Sequence, residues 1–303
     1  MVGGTKGPNL RGLPMPTPLD SAPESLEDLL LPILEKLERK EFDLPPLPQV
    51  ANQVLALTTD PKAQSDKLAV LIQQDIVLTA KILQTANSAG LGSQKKIDSL
   101  QQAVTWLGIN HVAGAAFTLS VQSGVFNVQG YEREVRELWT QGLATGFYGK
   151  SIAAQIGQDQ DMAFLCGLLH AIGKPFVVHT VNHHRQGTAE LLPWSAMVQL
   201  MQESYIEVGR QLGEAWNFPV PVKEAINLHE DHAYHLATSP TKGAVITCLA
   251  RHLTSHFHDQ EGTPEETIRA LPVVQALTLS DEQMTTLLES RDTIQAQVEN
   301  MLL

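Results

Sequence analysis

Residues 75–90, Asp75-Ile76-Val77-Leu78-Thr79-Ala80-Lys81-Ile82-Leu83-Gln84-Thr85-Ala86-Asn87-Ser88-Ala89-Gly90, spell a helix from cap to cap. Asp75 offers a carboxylate to the first free N–H groups. Leu78, Ile82, Ala86 and Ala89 recur every three or four residues and so share one face. Gly90 follows where a left-handed terminus is wanted. Asn87-Ser88-Ala89-Gly90 has the residue types that close helices, and Asp75 is adequately explained as a cap.

The same grammar runs outward in both directions. Upstream, Val50, Val54 and Leu57 form a stripe with Ala51 and Leu55 beside it, and Pro48 suits the first turn of that helix. Leu44-Pro45-Pro46-Leu47-Pro48 is a segment no helix crosses. Before it, Ser21 and Glu24 form a capping box for a helix over residues 24–40, kinked at Pro32, whose apolar face is a candidate docking element. Residues 1–20, rich in Gly and Pro, read as a flexible tail. Downstream, Ser99 with Gln102 opens a helix that Gly108 ends. Further helices are expected over 109–123, 131–156, 160–171, 195–216 and 220–229. Thr263 with Pro264 and Glu266 makes another capping box, as does Ser280 with Gln283. The last helix carries Met284, Leu287, Leu288, Ile294, Val298 and Met301 on one sustained face, which makes it a second candidate docking element and a homodimer possible, while for each of the two faces the stronger reading is that it packs on the protein's own body. No stretch alternates as a strand does. The predicted fold is all-α.

Composition limits the function. Hydrophobic residues are 43% of the 303, which excludes a wholly disordered chain, and aromatics are only 5%. A core of Leu, Ala, Val and Ile suits helices. With 21 basic and 33 acidic residues the net charge is −12, so overall charge argues against nucleic acid and anionic lipid. No apolar run approaches the roughly 18 residues of a membrane span, and no leader pattern opens the chain. The expected location is cytoplasmic, and Cys166 and Cys248 are expected to be reduced core thiols.

Eleven histidines are the unusual chemical resource. His252 and His256 share a helix face, but Leu253 stands where a zinc protease needs Glu. His179 and His183 have the same spacing in polar surroundings. His229-Glu230-Asp231-His232 is rich in donors without matching a familiar zinc pattern. His170 differs: it ends the apolar segment Ala163–Leu169, and is either a satisfied core residue or part of a site. Phosphate-cradling glycine loops and Gly-x-Ser-x-Gly are absent.

An ordered series of motifs resembles the HDOD family, the HD-related output domains of bacterial signalling proteins. It runs from Leu44-Pro45-Pro46-Leu47-Pro48 through Ile72-Gln73-Gln74-Asp75, Ala80-Lys81-Ile82-Leu83 and Ala86-Asn87-Ser88-Ala89 to Ala103-Val104-Thr105-Trp106-Leu107-Gly108. Leu138-Trp139, Ala163-Phe164, Gly167-Leu168-Leu169-His170, Ile172-Gly173, Val208-Gly209, Trp216, Pro219, Ala225-Ile226 and His229 follow in order. After the tail over 1–22 and the helical segment over 23–43, the resemblance implies the HDOD domain over 44–240 with an HD-like helical fold, and beyond it a helical C-terminal segment over 241–303.

The parent superfamily, the HD phosphohydrolases, holds divalent metals with His and Asp side chains to generate hydroxide. The resemblance places His170 in the His-Asp pair, with Ala171 in place of the aspartate. Gln141 and Tyr205 stand at two other histidine positions, His229 remains with Glu230 in place of its neighbour, and Arg251 falls at a late aspartate. After His229, Glu230-Asp231-His232-Ala233-Tyr234-His235-Leu236 lacks the Gly-Tyr-Pro of the branch that cleaves cyclic di-GMP. No catalytic residue, cofactor or metal is therefore expected. The reading is a non-catalytic regulatory module that contacts an unidentified signalling protein. The alternative is a divergent phosphohydrolase holding iron, manganese or zinc through His170, His229 and Asp231 with His183 or His184. A third reading is a pocket that binds a nucleotide or small anion without hydrolysis.

Overall fold

The computed structural model describes residues 49–58, 65–88, 97–124, 128–184, 191–230, 241–258 and 263–302. The expectations for the tail, Ser21, Pro32, the proline segment, Gly90 and Asp231 lie outside those residues. Among the described residues every regular element is a helix. The first five are α1 (Gln49–Thr58), α2 (Ser65–Ile72), α3 (Ile76–Ser88), α4 (Leu100–Leu107) and α5 (Ile109–Gly124). The next five are α6 (Glu132–Gln155), α7 (Gln160–Leu169), α8 (Gly173–His184), α9 (Trp194–Ala215) and α10 (Val220–Leu228). The chain closes with α11 (Lys242–His258), α12 (Glu265–Arg269), α13 (Pro272–Ala276), α14 (Asp281–Glu289) and α15 (Arg291–Leu302).

Local chemistry sets many of these ends. The Asp75 carboxylate accepts from the Leu78 N–H at 3.0 Å, and Leu78, Ile82 and Ala86 face inward. Gly108 ends α4 at φ +89°, a conformation that costs glycine little. Asn87 does more than close a helix. Its side chain donates to the Ile97 carbonyl at 2.8 Å and accepts from the Ile97 N–H at 2.9 Å, pinning the chain on its return. Ser280 and Gln283 form a full capping box on α14. Ser99 caps α4, but the Gln102 side chain accepts from the Asp98 N–H instead of from Ser99.

The helices share one hydrophobic core. α6 is its axis, with α7, α11, α14 and α15 packed along it. Its contact with α7 is backbone to backbone. A β-carbon on Gly142 would lie 2.9 Å from the Leu168 carbonyl oxygen, one on Gly146 2.9 Å from that of Phe164, and one on Gly149 2.8 Å from that of Ala163. From the other side, a β-carbon on Gly167 would lie 2.7 Å from the Gly146 Cα. Gly173 at the head of α8 likewise leaves no room between itself and the Tyr205 carbonyl of α9. Cys166 and Cys248 are buried and form no disulfide.

Four expectations need correction. The helix expected over 160–171 stops at Leu169, and a turn through His170, Ala171 and Ile172 leads into α8. Together Gln160–His183 is long and apolar enough in composition to cross a membrane, contrary to the sequence reading, but 78% of its most apolar window is buried in the fold. Thr263 does not cap α12, whose cap residue is Pro264; its carbonyl accepts from His256 Nδ1 at 2.7 Å and its hydroxyl lies 3.4 Å from His252 Nδ1. The final helix breaks at Ser290, whose hydroxyl donates to the Leu287 carbonyl at 2.6 Å. Met284, Leu287, Ile294, Val298 and Met301 are buried on the protein's own body, in line with the stronger of the two readings of this face. Thr85 of α3 donates to the Asn300 carbonyl at 3.1 Å and ties α15 down.

Two sets of variants test this packing. Gly146→Ala and Gly167→Ala should each destabilise the fold by about 1–3 kcal/mol, because the opposing atoms are backbone and cannot rotate away. Urea melts matching the parent would disprove the contact. Leu287→Asp with Ile294→Asp should unfold or severely destabilise the chain, read by circular dichroism, since each places a carboxylate in the core.

Candidate functional site

The α6–α7 contact aims His170 into the molecule. Gly167 brings α7 against α6, and its carbonyl accepts from His170 Nδ1 at 2.6 Å. A carbonyl has no proton to give, so Nδ1 carries the hydrogen and Nε2 holds a lone pair. His229, ending α10, is bound in the same manner, with Nδ1 donating to the Ala225 and Ile226 carbonyls at 2.9 and 3.0 Å. The two rings meet edge to face with centroids 4.8 Å apart. His170 is 5% exposed and His229 1%.

Tyr205 of α9 joins the pair. Its hydroxyl lies 2.8 Å from His229 Nε2 and 2.5 Å from Glu230 Oε1, so its single proton lies between two acceptors, the imidazole lone pair and the carboxylate. The Lys174 ammonium stands 4.8 Å from the centre of the Tyr205 ring. Beside this group opens a cavity of about 140 Å³ between α6, α8 and α11. Gln141, Thr145, His170, Ala171, Lys174 and Arg251 line it, with Leu138, Gly142, Thr254 and Ser255 completing the wall. The Arg251 Nε is enclosed with no hydrogen-bond partner.

Charge states follow from burial. Burial holds the His170 imidazole far below its usual range, and His229, Lys174 and Arg251 oppose a proton there too. Burial, then the Arg251 charge, pushes His229 down to about 4. Desolvation acts to raise the Glu230 carboxyl, but the Tyr205 hydrogen bond and the nearby positive charges outweigh it and leave it below the usual value. Burial and Glu230 both raise the Tyr205 phenol. At neutral pH the site therefore holds two neutral imidazoles, a phenol, a carboxylate and two cations.

These donors, among the described residues, do not make a divalent-metal site. Among the described residues no three His, Cys, Asp or Glu side chains converge on one point. The imidazoles keep only their Nε2 atoms, one of which faces Tyr205, and Lys174 and Arg251 bring positive charge where a cation would sit.

The fold brings together Gln141, His170, Ala171 and Arg251 around the cavity and Tyr205, His229 and Glu230 behind it. Asp231 is outside the described residues. His183 stands near the far end of α8, roughly 15 Å along the axis from the start of that helix, and stacks on His179. The His184 side chain is not among those described. His252 and His256 both address Thr263. Sequence reasoning missed Lys174, Thr145, Thr254 and Ser255. Helical spacing was the available signal: Thr145 follows Gln141 by four, Thr254 and Ser255 follow Arg251 by three and four, and Lys174 follows His170 by four across the turn.

A family model described as the HDOD domain matches residues 44–232. The chain belongs to the HDOD family. This HDOD protein is 27% identical over 239 residues to an uncharacterized protein of Treponema pallidum (strain Nichols), covering 76% of this chain and 45% of that one. It thus spans less than half the length of that curated relative. Among solved structures, an HDOD domain protein of unknown function from Geobacter sulfurreducens superposes with a TM-score of 0.68 at 22% identity, over 91% of this chain and 99% of that one. A protein of Marinobacter aquaeolei VT8, provisionally named a signal transduction protein, gives 0.69 at 22% identity over 92% and 66%. One from Shewanella amazonensis SB2B, provisionally named a metal-dependent phosphohydrolase, gives 0.67 at 20% identity over 90% and 99%. At these identities the likeness is one of fold.

The neutral histidines predict a pH effect. Both take up protons on unfolding, so between about pH 6.5 and about pH 4 the unfolded chain binds more protons than the folded one. Stability is full above pH 6.5 and falls on acidification by up to about 1.4 kcal/mol per pH unit for each histidine. Urea denaturation across this range should show the fall, and His170→Gln should make it shallower. An unchanged slope in His170→Gln would show that the ring is not held neutral.

Proposed function

We propose that this HDOD protein is a cytoplasmic, non-catalytic regulatory module of bacterial signalling that acts by contact with a partner protein. The observation that carries the reading is the charge at the cavity: Lys174 and Arg251 line it, and Ala171 stands beside His170 where the superfamily has a metal-bridging carboxylate. Hydroxide generation needs a cation that lowers the pKa of bound water, and two fixed positive charges oppose that cation's entry. The local architecture supports the same reading, because the Nδ1 atoms of both histidines are spent on helix-terminal carbonyls and the rings pack against each other. With Tyr205 they plug the junction of α7, α9 and α10, a structural task that asks for no turnover.

The metal content of tag-free protein, purified by gel filtration from metal-supplemented culture, tests this. Iron, manganese and zinc should each be well below stoichiometric by mass spectrometry. A stoichiometric metal would instead bring forward the hydrolase reading built on His170, His229 and Asp231.

A further inference from the structure

We infer that residues 24–40 of this same chain cover the surface around Trp106, at the junction of α4 and α5. The inference goes beyond the regulatory reading and does not depend on it, since no residue of the His170 cavity takes part.

The first support is a surface without charge. From Ser99 to Tyr131 the chain contains no Asp, Glu, Lys or Arg, although such residues make up 18% of the whole. Part of that stretch is buried in the core, but part faces outward. Gln101, Gln102 and Thr105 are exposed, and Trp106 is 43% exposed. Leu107 and Ile109, on either side of Gly108, are only partly buried. Gln102 and Trp106 lie one turn apart on α4 and so share a flank. By contrast, α6 exposes Glu132, Arg133, Arg136 and Glu137, and α14 exposes Asp281 and Glu282. An uncharged surface centred on an aromatic side chain has the composition of a contact.

The second support is the chain that precedes α1. Among the 48 residues before Gln49, residues 24–40 carry Leu26, Leu30, Ile33 and Leu37 at the spacing of one helix face. Eight of these seventeen residues are charged, so a segment lying on that face gives the uncharged surface a charged exterior. Reach agrees. α1 packs along α5, which at 16 residues is about 24 Å long. Residues 41–48 span roughly 25 Å at the polyproline spacing of about 3.1 Å per residue, enough to reach the head of α5 from any point along it. Tethering favours this occupant over a second copy or another protein, because a short linker holds it at a local concentration of about millimolar.

The test reads Trp106 in the full chain, its emission taken as the difference between the parent and Trp106→Phe. In the parent that difference should have the short wavelength of an enclosed indole and resist quenching by acrylamide. Leu30→Asp with Ile33→Asp should release the segment, shifting the emission to the red and raising the quenching to that of an indole in water. Cross-linking gives a second reading that does not need this variant to fold. Gln102→Cys is combined in turn with Leu26→Cys, Leu30→Cys, Ile33→Cys and Leu37→Cys, and treated with a short bis-maleimide. At least one pair should link within a single chain, read by denaturing electrophoresis and by mass spectrometry of the linked peptides. Cys166 and Cys248 are buried and stay out of the reaction. A Trp106 that acrylamide reaches as readily in the parent as in the Asp variant overturns the proposal, as does the absence of any intramolecular link. A linked dimer overturns it in favour of a second copy on this surface.

Discussion

The architecture depends on the backbone contact between α6 and α7. Gly142, Gly146 and Gly149 present bare backbone to the carbonyls of Leu168, Phe164 and Ala163, and Gly167 returns the approach. With no side chains between them, the two helices cannot slide or rotate without collision, because the touching atoms are themselves held in helical hydrogen bonds. That rigidity passes to the turn at 170–172. Gly167 sets the helix position and its carbonyl holds the His170 ring, so one residue serves both packing and the site. Gly173 repeats the device three residues beyond the histidine, bringing α8 onto α9 at Tyr205.

The second constraint is electrostatic. His170 and His229 are buried edge to face, and Lys174 and Arg251 surround them with positive charge, so every contribution except their carbonyl bonds and Glu230 disfavours a proton. Neutral imidazoles can stack closely where two imidazolium ions would repel. Glu230 and Tyr205 close the polar chain on the outer side, and the cavity takes up the inner side. An HD-like scaffold with a carboxylate beside its histidine would be arranged for a cation. Here Ala171 stands beside the histidine, and Lys174 and Arg251 line the cavity.

Much of this was legible in the sequence where short-range forces decide. Asp75, Gly108 and the Ser280–Gln283 pair act through hydrogen bonds within four residues, and each stands at the helix end that its residue type predicts. Where a long-range contact competed, the reading failed. Thr263 has the pattern of a cap, but its polar atoms face His252 and His256 of another helix. The apolar periodicity of the C-terminus continues through Ser290, although the backbone breaks there, because α14 and α15 pack on different parts of the core: α14 beside α6, and α15 between α6 and α3.

The candidate site divides in the same way. The amino-acid sequence by itself determined the helical fold and the HDOD family, because periodicity and motif order are written along the chain. Only the tertiary structure decided that Arg251, outside the matched residues 44–232, meets Lys174 across one cavity. It alone decided that Tyr205 bridges His229 and Glu230, and that the last apolar face is spent on the protein's own core. Charge and hydrogen bonding act over ångströms in space, and residues 77 apart in the chain, such as Lys174 and Arg251, come within that range only when helices pack.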